Sequence, residues 1–282
     1  MNEARPLKPP MRGSVPCVNI TTAGGTAINL RNLTVRFDVL NRPPVLAVDN
    51  VSLSIRAGEF VSLVGPSGCG KTTILNLLTG LLPVTYEGEV TIAGRKPTAG
   101  NPDIAYMLAR DSLLPWRTAL GNAAYGLEIR NVPQAEREAH ARELLEKVGL
   151  GAFCDAYPKA LSHGMRQRCA LARTFCLGSP VFLMDEPFGA LDAQTKLQLE
   201  DVLMDLWSAE QRTVLFVTHD LAEAVALSDR VVVMSARPGR IVADVPINLP
   251  RPRSVRALQK SDDFHHLYAE LWGLLEQGSL ER

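Results

Sequence analysis

Four short runs of this chain bring together residue types that handle phosphate. Residues 65–73 read GPSGCGKTT, a G-x-x-x-x-G-K-[ST] spacing that follows an apolar run and precedes a helical one. Gly65, Gly68 and Gly70 permit backbone torsions that turn successive N–H groups onto a phosphate, with Pro66, Ser67 and Cys69 between them. The helix that follows aims its positive end at the same point. In that pattern Lys71 neutralises the β and γ phosphates of a nucleoside triphosphate such as ATP, the Thr72 hydroxyl binds Mg2+, and Thr73 completes the loop. Residues 181–187, VFLMDEP, supply what the loop lacks. Four apolar residues read as a buried strand, and two carboxylates at its end are costly to bury unless they serve a cation or a reaction. Asp185 is the expected Mg2+ partner, through water, and Glu186 the group that polarises an attacking water. An acidic strand end standing alone is an ordinary turn; beside a phosphate loop it reads as chemistry. TVLFVTHD, 213–220, ends a second such strand at His219, whose imidazole is placed to hydrogen-bond a γ-phosphate and orient that water, although a lone His at a strand end is more often structural. The fourth run, LSHGMRQRCALAR at 161–173, sets a Ser, a Gly and a basic cluster at a helix start, which suits an anion but holds no catalytic group.

The elements that must position these groups follow from periodicity. Apolar strands separated by the helical run AQTKLQLEDVLMDLWSAE imply a parallel sheet covered by helices, with ligands at the carboxyl ends of the strands. Upstream, INLRNLTVRFDVL, VDNVSLSIRAGEFVSLVG and EGEVTIAGRKP read as strands punctuated by Pro, Asn and Gly. PQAEREAHARELLEKVGL has helical spacing, with Pro133 near its start, Lys147 late and Gly149 as a stop. The expectation is therefore an α/β fold with a mostly parallel sheet, an N-terminal antiparallel β subdomain and a helical insertion at about 107–165. Residues 1–26 read as a mobile extension, 27–245 as the main domain, and 246–282 as a C-terminal extension. The extension's FHHLYAELWGLLEQ places Phe264, Leu267, Leu271 and Leu274 on one side of a packing helix; His265 and His266, adjacent on that helix, diverge and make a poor metal pair.

Composition narrows the partners. The 282 residues carry 30 basic and 30 acidic side chains, so no global charge draws the chain to nucleic acid or anionic lipid, and a local site must carry any phosphate binding. Five cysteines with no CxxC pair argue against a disulfide framework and for a reducing cytosol. No apolar run approaches the roughly 20 residues that span a bilayer, and no signal peptide is evident.

The order of phosphate loop, LSHGMRQRCALAR, VFLMDEPFGALD and TVLFVTHD resembles the ATPase subunit of ATP-binding cassette (ABC) transporters, over about residues 28–240. The fold this resemblance implies is a P-loop NTPase core carrying the helical, signature-bearing insertion. It implies an ATP-hydrolysing subunit whose Leu-Ser-x-Gly signature faces the ATP held by a second cassette in a head-to-tail dimer. Ser162, His163, Gly164 and Met165 would then meet the partner's γ-phosphate, and Asp192 matches the D-loop acid that links the two sites. Phe37 matches the adenine-stacking aromatic, although DVLNRPP stretches its spacing and a core role suits it equally. SLLPWRT at 112–118 and PGRIVADVPINLPRPRS at 238–254 look like the nitrate/sulfonate/taurine importer group. That implies an integral membrane permease, a solute-binding protein, and a peripheral place on the cytoplasmic face of the bacterial inner membrane. Leu113, Leu114, Pro115 and Trp116 would meet the permease; packing of Trp116 within the helical insertion is the alternative.

Two positions depart from the family. Ala109 stands where a Gln normally touches Mg2+ and water, and a methyl group can do neither, which leaves Arg110 or Asp111 as charged substitutes. His163 replaces the first signature Gly. Two other readings follow: a degenerate regulatory cassette that binds ATP without useful turnover, and a soluble ABC ATPase acting on nucleic acid, for which this neutral single cassette lacks the basic patches.

Overall fold

The apolar runs become strands in two sheets. The computed structural model describes residues 25–40 and 42–280. The extension expected at residues 1–26 lies outside them as far as residue 24, Cys17 included. β1 (Thr26–Val39) pairs antiparallel with β2 (Arg42–Arg56) on one side and β4 (Tyr86–Ile92) on the other. Along β1 the pairing shifts register between Leu30 and Leu33, where Asn32 has φ 51°. The bulge lets Leu30 and Leu33, an odd number of residues apart, both be buried, while Arg31 stays exposed.

The second sheet runs β5 (Ile104–Met107), β6 (Val181–Asp185), β7 (Thr213–Thr218), β3 (Phe60–Val64), β8 (Arg230–Met234), β9 (Ile241–Pro246). All neighbours are parallel except β9, which returns antiparallel to β8. β3, β6 and β7 are buried along their whole length, which is why they read as unbroken apolar runs. One face, with Phe60, Phe182 and Phe216, packs under helices; the other, with Leu63, Leu183 and Leu215, packs on α1 (Lys71–Leu78) and the antiparallel sheet. Register aligns Val64 with Thr218 and Asp185 with Val217, so three strands end together at one edge.

Between β5 and β6 lie α2 (Ala119–Ala123), α3 (Tyr125–Ile129), α4 (Gln134–Lys147) and α5 (His163–Cys176). Pro133 caps the start of α4, and Gly149 just beyond it takes φ 76°, the left-handed turn that favours glycine. After β6 come α6 (Ala193–Glu210), α7 (Leu221–Leu227), α8 (Val255–Leu258) and α9 (Asp262–Leu280). α9 buries Phe264 and Leu271 in the main core. The segment before it is tied down by arginines: Arg251 donates to Leu227 O at 2.9 Å, and Arg253 to Ser228 O at 2.6 Å and Leu249 O at 2.9 Å. Two cations therefore sit at the carboxyl end of α7, where backbone carbonyls lack partners. Burial, then the neighbouring Arg251, pull Arg253 down to about 10, which leaves it charged at neutral pH. Among the described residues no helix is long and apolar enough to cross a membrane.

Candidate active site

The phosphate loop is built on two left-handed glycines. Gly68 has φ 78° and open space where a Cβ would stand; Gly70 has φ 102°, and a Cβ there would lie 2.8 Å from Val48 Cγ2. Only glycine fits Gly70 without moving β2. Lys71 is buried, and its ammonium donates to Gly65 O at 2.7 Å and Pro66 O at 3.0 Å, curling the loop round its own cation. Cys69 Sγ lies 3.7 Å from the same ammonium; burial pushes this thiol up, so it stays protonated.

The aligned strand ends bring the acidic pair to this loop. Thr72 Oγ1 donates to Asp185 Oδ1 at 3.2 Å. Burial holds the Asp185 carboxyl above its usual range, a desolvation that the Thr72 hydroxyl only partly offsets. A hydroxyl and a desolvated carboxylate at hydrogen-bond distance, beside a lysine, form the oxygen set that suits a hard divalent cation with bound phosphate. Tyr106 lies beside Asp185; burial and that carboxylate raise its phenol, and its OH donates to Asn76 Oδ1 at 3.1 Å. Glu186 leaves the strand with φ 44° while its N–H still donates to Val217 O at 2.9 Å. That left-handed backbone costs a non-glycine residue about 1–2 kcal/mol, and such strain collects at working sites. Glu186 Oε2 lies 3.0 Å from His219 Nδ1, at the end of β7. Ala47, Ser67, Gly68, Gly70, Lys71, Thr72, Thr73, Glu186 and Arg237 line one cleft of about 310 Å3.

Behind His219 is a partly buried charge cluster that sequence reasoning missed. Lys196 on α6 pairs with Asp220 at 2.5 Å and Glu223 at 2.6 Å, and Thr218 donates to Glu223. Burial pulls the Lys196 ammonium down, but Glu223 and Asp220 outweigh it and hold it above its ordinary value. Asp220 also caps α7 by accepting from Ala222 N at 2.7 Å. The residues on both sides of His219 are thereby fixed to α6. The sequence marked α6 as a helix; nothing in it distinguished Lys196 from a solvated surface lysine.

The signature residues lie elsewhere. None of Ser162, His163, Gly164 and Met165 lines the cleft. Ser162 caps α5, accepting from Met165 N at 3.3 Å, and Ser162 and His163 are exposed. Gly164 abuts the first turn of α6: a Cβ there would lie 2.6 Å from Thr195 Cγ2. Asp192 caps α6 through Thr195 N at 3.0 Å, and those hydrogen bonds hold its carboxyl below the usual range. Gln167, buried in α5, donates to Pro187 O and so joins the signature helix to the segment after Glu186. Phe37, opposite Val45, is half-buried against the core of the antiparallel sheet and does not line the cleft.

Of the two candidate substitutes for the missing Gln, Asp111 is already engaged. Arg166 Nε binds its Oδ2 at 2.8 Å, and Arg166 also reaches Leu161 O at 2.9 Å and His163 Nδ1 at 3.3 Å. Arg173, two turns further along α5, donates to Asp111 O and Ser112 O, each at 2.9 Å. The loop that carries Ala109 is thus clamped to the signature helix, and Arg166 touches both that loop, through Asp111, and His163. Ala109 and Arg110 are exposed. Trp116 is 70% exposed, so it does not pack within the helical insertion.

Comparison with known proteins places this geometry. The family model described as ABC transporter matches residues 48–189. A taurine import ATP-binding protein of Rhizobium johnstonii is 41% identical over 235 residues, covering 82% of this chain and 89% of the relative. A nitrate import ATP-binding protein of Synechocystis sp. is 44% identical over 215 residues, covering 76% of this chain and 80% of the relative. Among solved structures, a dimeric ATP-binding cassette in a post-hydrolysis state, bound to ADP and Pi, superposes with TM-score 0.68 at 31% identity, covering 79% of this chain and all of that one. The motif order, the cleft at the strand ends and these matches agree: the chain belongs to the ABC transporter family, as its ATPase cassette.

Proposed function

We propose that this cassette powers a membrane importer for nitrate, a sulfonate, taurine or a related small solute. In this reading it docks on an integral permease at the cytoplasmic face of the bacterial plasma membrane and works with a separate solute-binding protein. Residues 27–245 form the ATPase domain, with the helices inserted at about 107–165 and the C-terminal extension beginning at 246. The taurine and nitrate import relatives support the solute class. The exposure of Trp116 supports the docking site.

The observation that carries the chemistry is that Glu186 lines the same cleft as the phosphate loop. Lys71 and the loop amides hold the ATP phosphates. Thr72 and Asp185, whose oxygens already meet at 3.2 Å, would hold Mg2+; when bound, that ion neutralises charge on the phosphates. Glu186 accepts a proton from the attacking water, and His219, 3.0 Å away, orients Glu186 and the γ-phosphate. Ser162, His163, Gly164 and Met165 act on the ATP of a second cassette in a head-to-tail dimer. The exposure of Ser162 and His163, and the absence of all four from the chain's own cleft, support that role, as does the dimeric state of the solved neighbour. Asp192, at the start of α6, links the paired sites, and Phe37 is the candidate for adenine.

Glu186→Gln tests the assignment. It removes the base and keeps the shape, so steady-state ATP hydrolysis should fall at least about a hundredfold. ATP-dependent dimerisation, followed by gel filtration with light scattering, should strengthen. Unchanged turnover would overturn the role given to Glu186.

A further inference from the structure

The turn between β8 and β9, residues 235–240, is built onto the phosphate loop although more than 160 residues separate them in sequence. Gly239 donates to Ala47 O at 3.0 Å and accepts from Asp49 N at 3.0 Å, which fixes the turn to β2. A Cβ on Gly239 would stand 1.9 Å from Cys69 O, so the turn touches the loop backbone to backbone. Ser235 Oγ braces it from inside, accepting from Arg240 N at 3.0 Å and aligned to donate to Pro238 O at 3.2 Å. From behind, the end of α9 supports it through Ala236 N to Gly278 O at 3.0 Å.

This rigid turn carries two arginines with different surroundings. Arg240 is neutralised by Asp49, at 2.8 Å through Nε and 2.5 Å through an end nitrogen. Arg237 is exposed, lines the cleft beside Ser67, Gly68, Thr72 and Thr73, and has no carboxylate or side-chain hydrogen-bond partner among the described residues. Lys71, the other cation of that cleft, already donates to the carbonyls of Gly65 and Pro66. An unpaired guanidinium held over a phosphate loop by a braced turn is pre-organised for an oxyanion, because its planar fork matches two phosphate oxygens at once.

We propose that Arg237 is a nucleotide ligand, its guanidinium binding phosphate oxygens of the ATP held by the loop. This rests on the ATP-site reading and extends it to a residue far outside the phosphate loop. The phosphates are assigned, and not the base, because six of the eight residues sharing the cleft with Arg237 belong to the phosphate-binding segment and no aromatic side chain lines it.

Full-length wild-type protein, Arg237→Ala, Arg237→Lys and Lys71→Ala would be compared for binding of a fluorescent ATP analogue and, by competition, of inorganic pyrophosphate. Arg237→Ala is expected to weaken both ligands about tenfold, with a shallower dependence on salt, and Arg237→Lys to recover part of the loss. Because Arg237 is exposed and unpaired, the melting temperature of the ligand-free variant should match wild type while its rise with nucleotide shrinks. Wild-type affinity of Arg237→Ala for both ligands overturns the proposal, and so does a loss confined to ATP, which would point to the base. Failure of the ATP-site reading looks different: wild type and Lys71→Ala would then be alike, with neither binding.

Discussion

Replacing Glu200 by Gln tests how the charge cluster beneath His219 is held. Glu200 lies on α6 one turn beyond Lys196; it is buried, and its Oε2 has no hydrogen-bond partner. Burial first, then the Glu223 carboxylate, push it up to about 8 from an ordinary 4.5, against the opposing pull of Lys196. A carboxyl with a raised folded value binds its proton more tightly when folded. Between those two values the folded chain holds a proton that the unfolded chain has released, so stability is greatest at low pH and is lost as pH rises towards 8, at about 1.4 kcal/mol per pH unit. Integrated over that span the ceiling is about 4 kcal/mol. Glu223 and Asp220 share the same cation, so the proton belongs partly to the cluster, and about 2 kcal/mol is the expected share of Glu200. The isosteric Gln removes the ionisation. Urea unfolding at pH 5, 6.5 and 8 should show little difference between variant and wild type at pH 5 and a gain of about 2 kcal/mol for the variant at pH 8. Parallel stability profiles, or a gain largest at pH 5, would refute the reasoning.

Two further outcomes follow from packing. Gly70→Ala forces a Cβ into Val48 at φ 102°, so it should cost about 1–3 kcal/mol by urea unfolding and lower nucleotide affinity by distorting the loop; full retention of both would sink the steric account. The Arg166–Asp111 pair is partly exposed, so a double-mutant cycle with Arg166→Gln and Asp111→Asn should return a stability coupling of about 1 kcal/mol that shrinks in high salt. Additive variants would mean that the contact does not hold the loop to α5.

The chemistry of the cleft was legible because it depends on short-range rules. GPSGCGKTT fixes glycine torsions and a helix start, and VFLMDE fixes a buried strand with carboxylates at its end; both need only their immediate neighbours. The paired strand ends at Thr218 and Asp185 followed from parallel-sheet logic. Contacts set by tertiary register were not legible. Lys196 reads as one more polar residue on a helix until α7 brings Asp220 and Glu223 to it. Asp111 reads as a substitute for a missing Gln until Arg166 is seen to occupy it. The segment at 235–240 carried turn signals, and which of its two arginines would be paired depended on Asp49, on another sheet.

The contact between Gly239 and Cys69 also sets an order of events during synthesis. The phosphate loop leaves the ribosome early, but the turn that walls it is encoded some 170 residues later. At about 5–20 residues per second the nascent loop waits on the order of ten to thirty seconds for that wall. β6 and β7, which flank β3 on the acidic side, also arrive within that interval. A growing chain therefore lacks the finished nucleotide cleft until β8 and its turn have been made. Arg237 and Gly239 join the cleft only in the completed domain, and a nucleotide held there stabilises finished chains over partial ones by mass action.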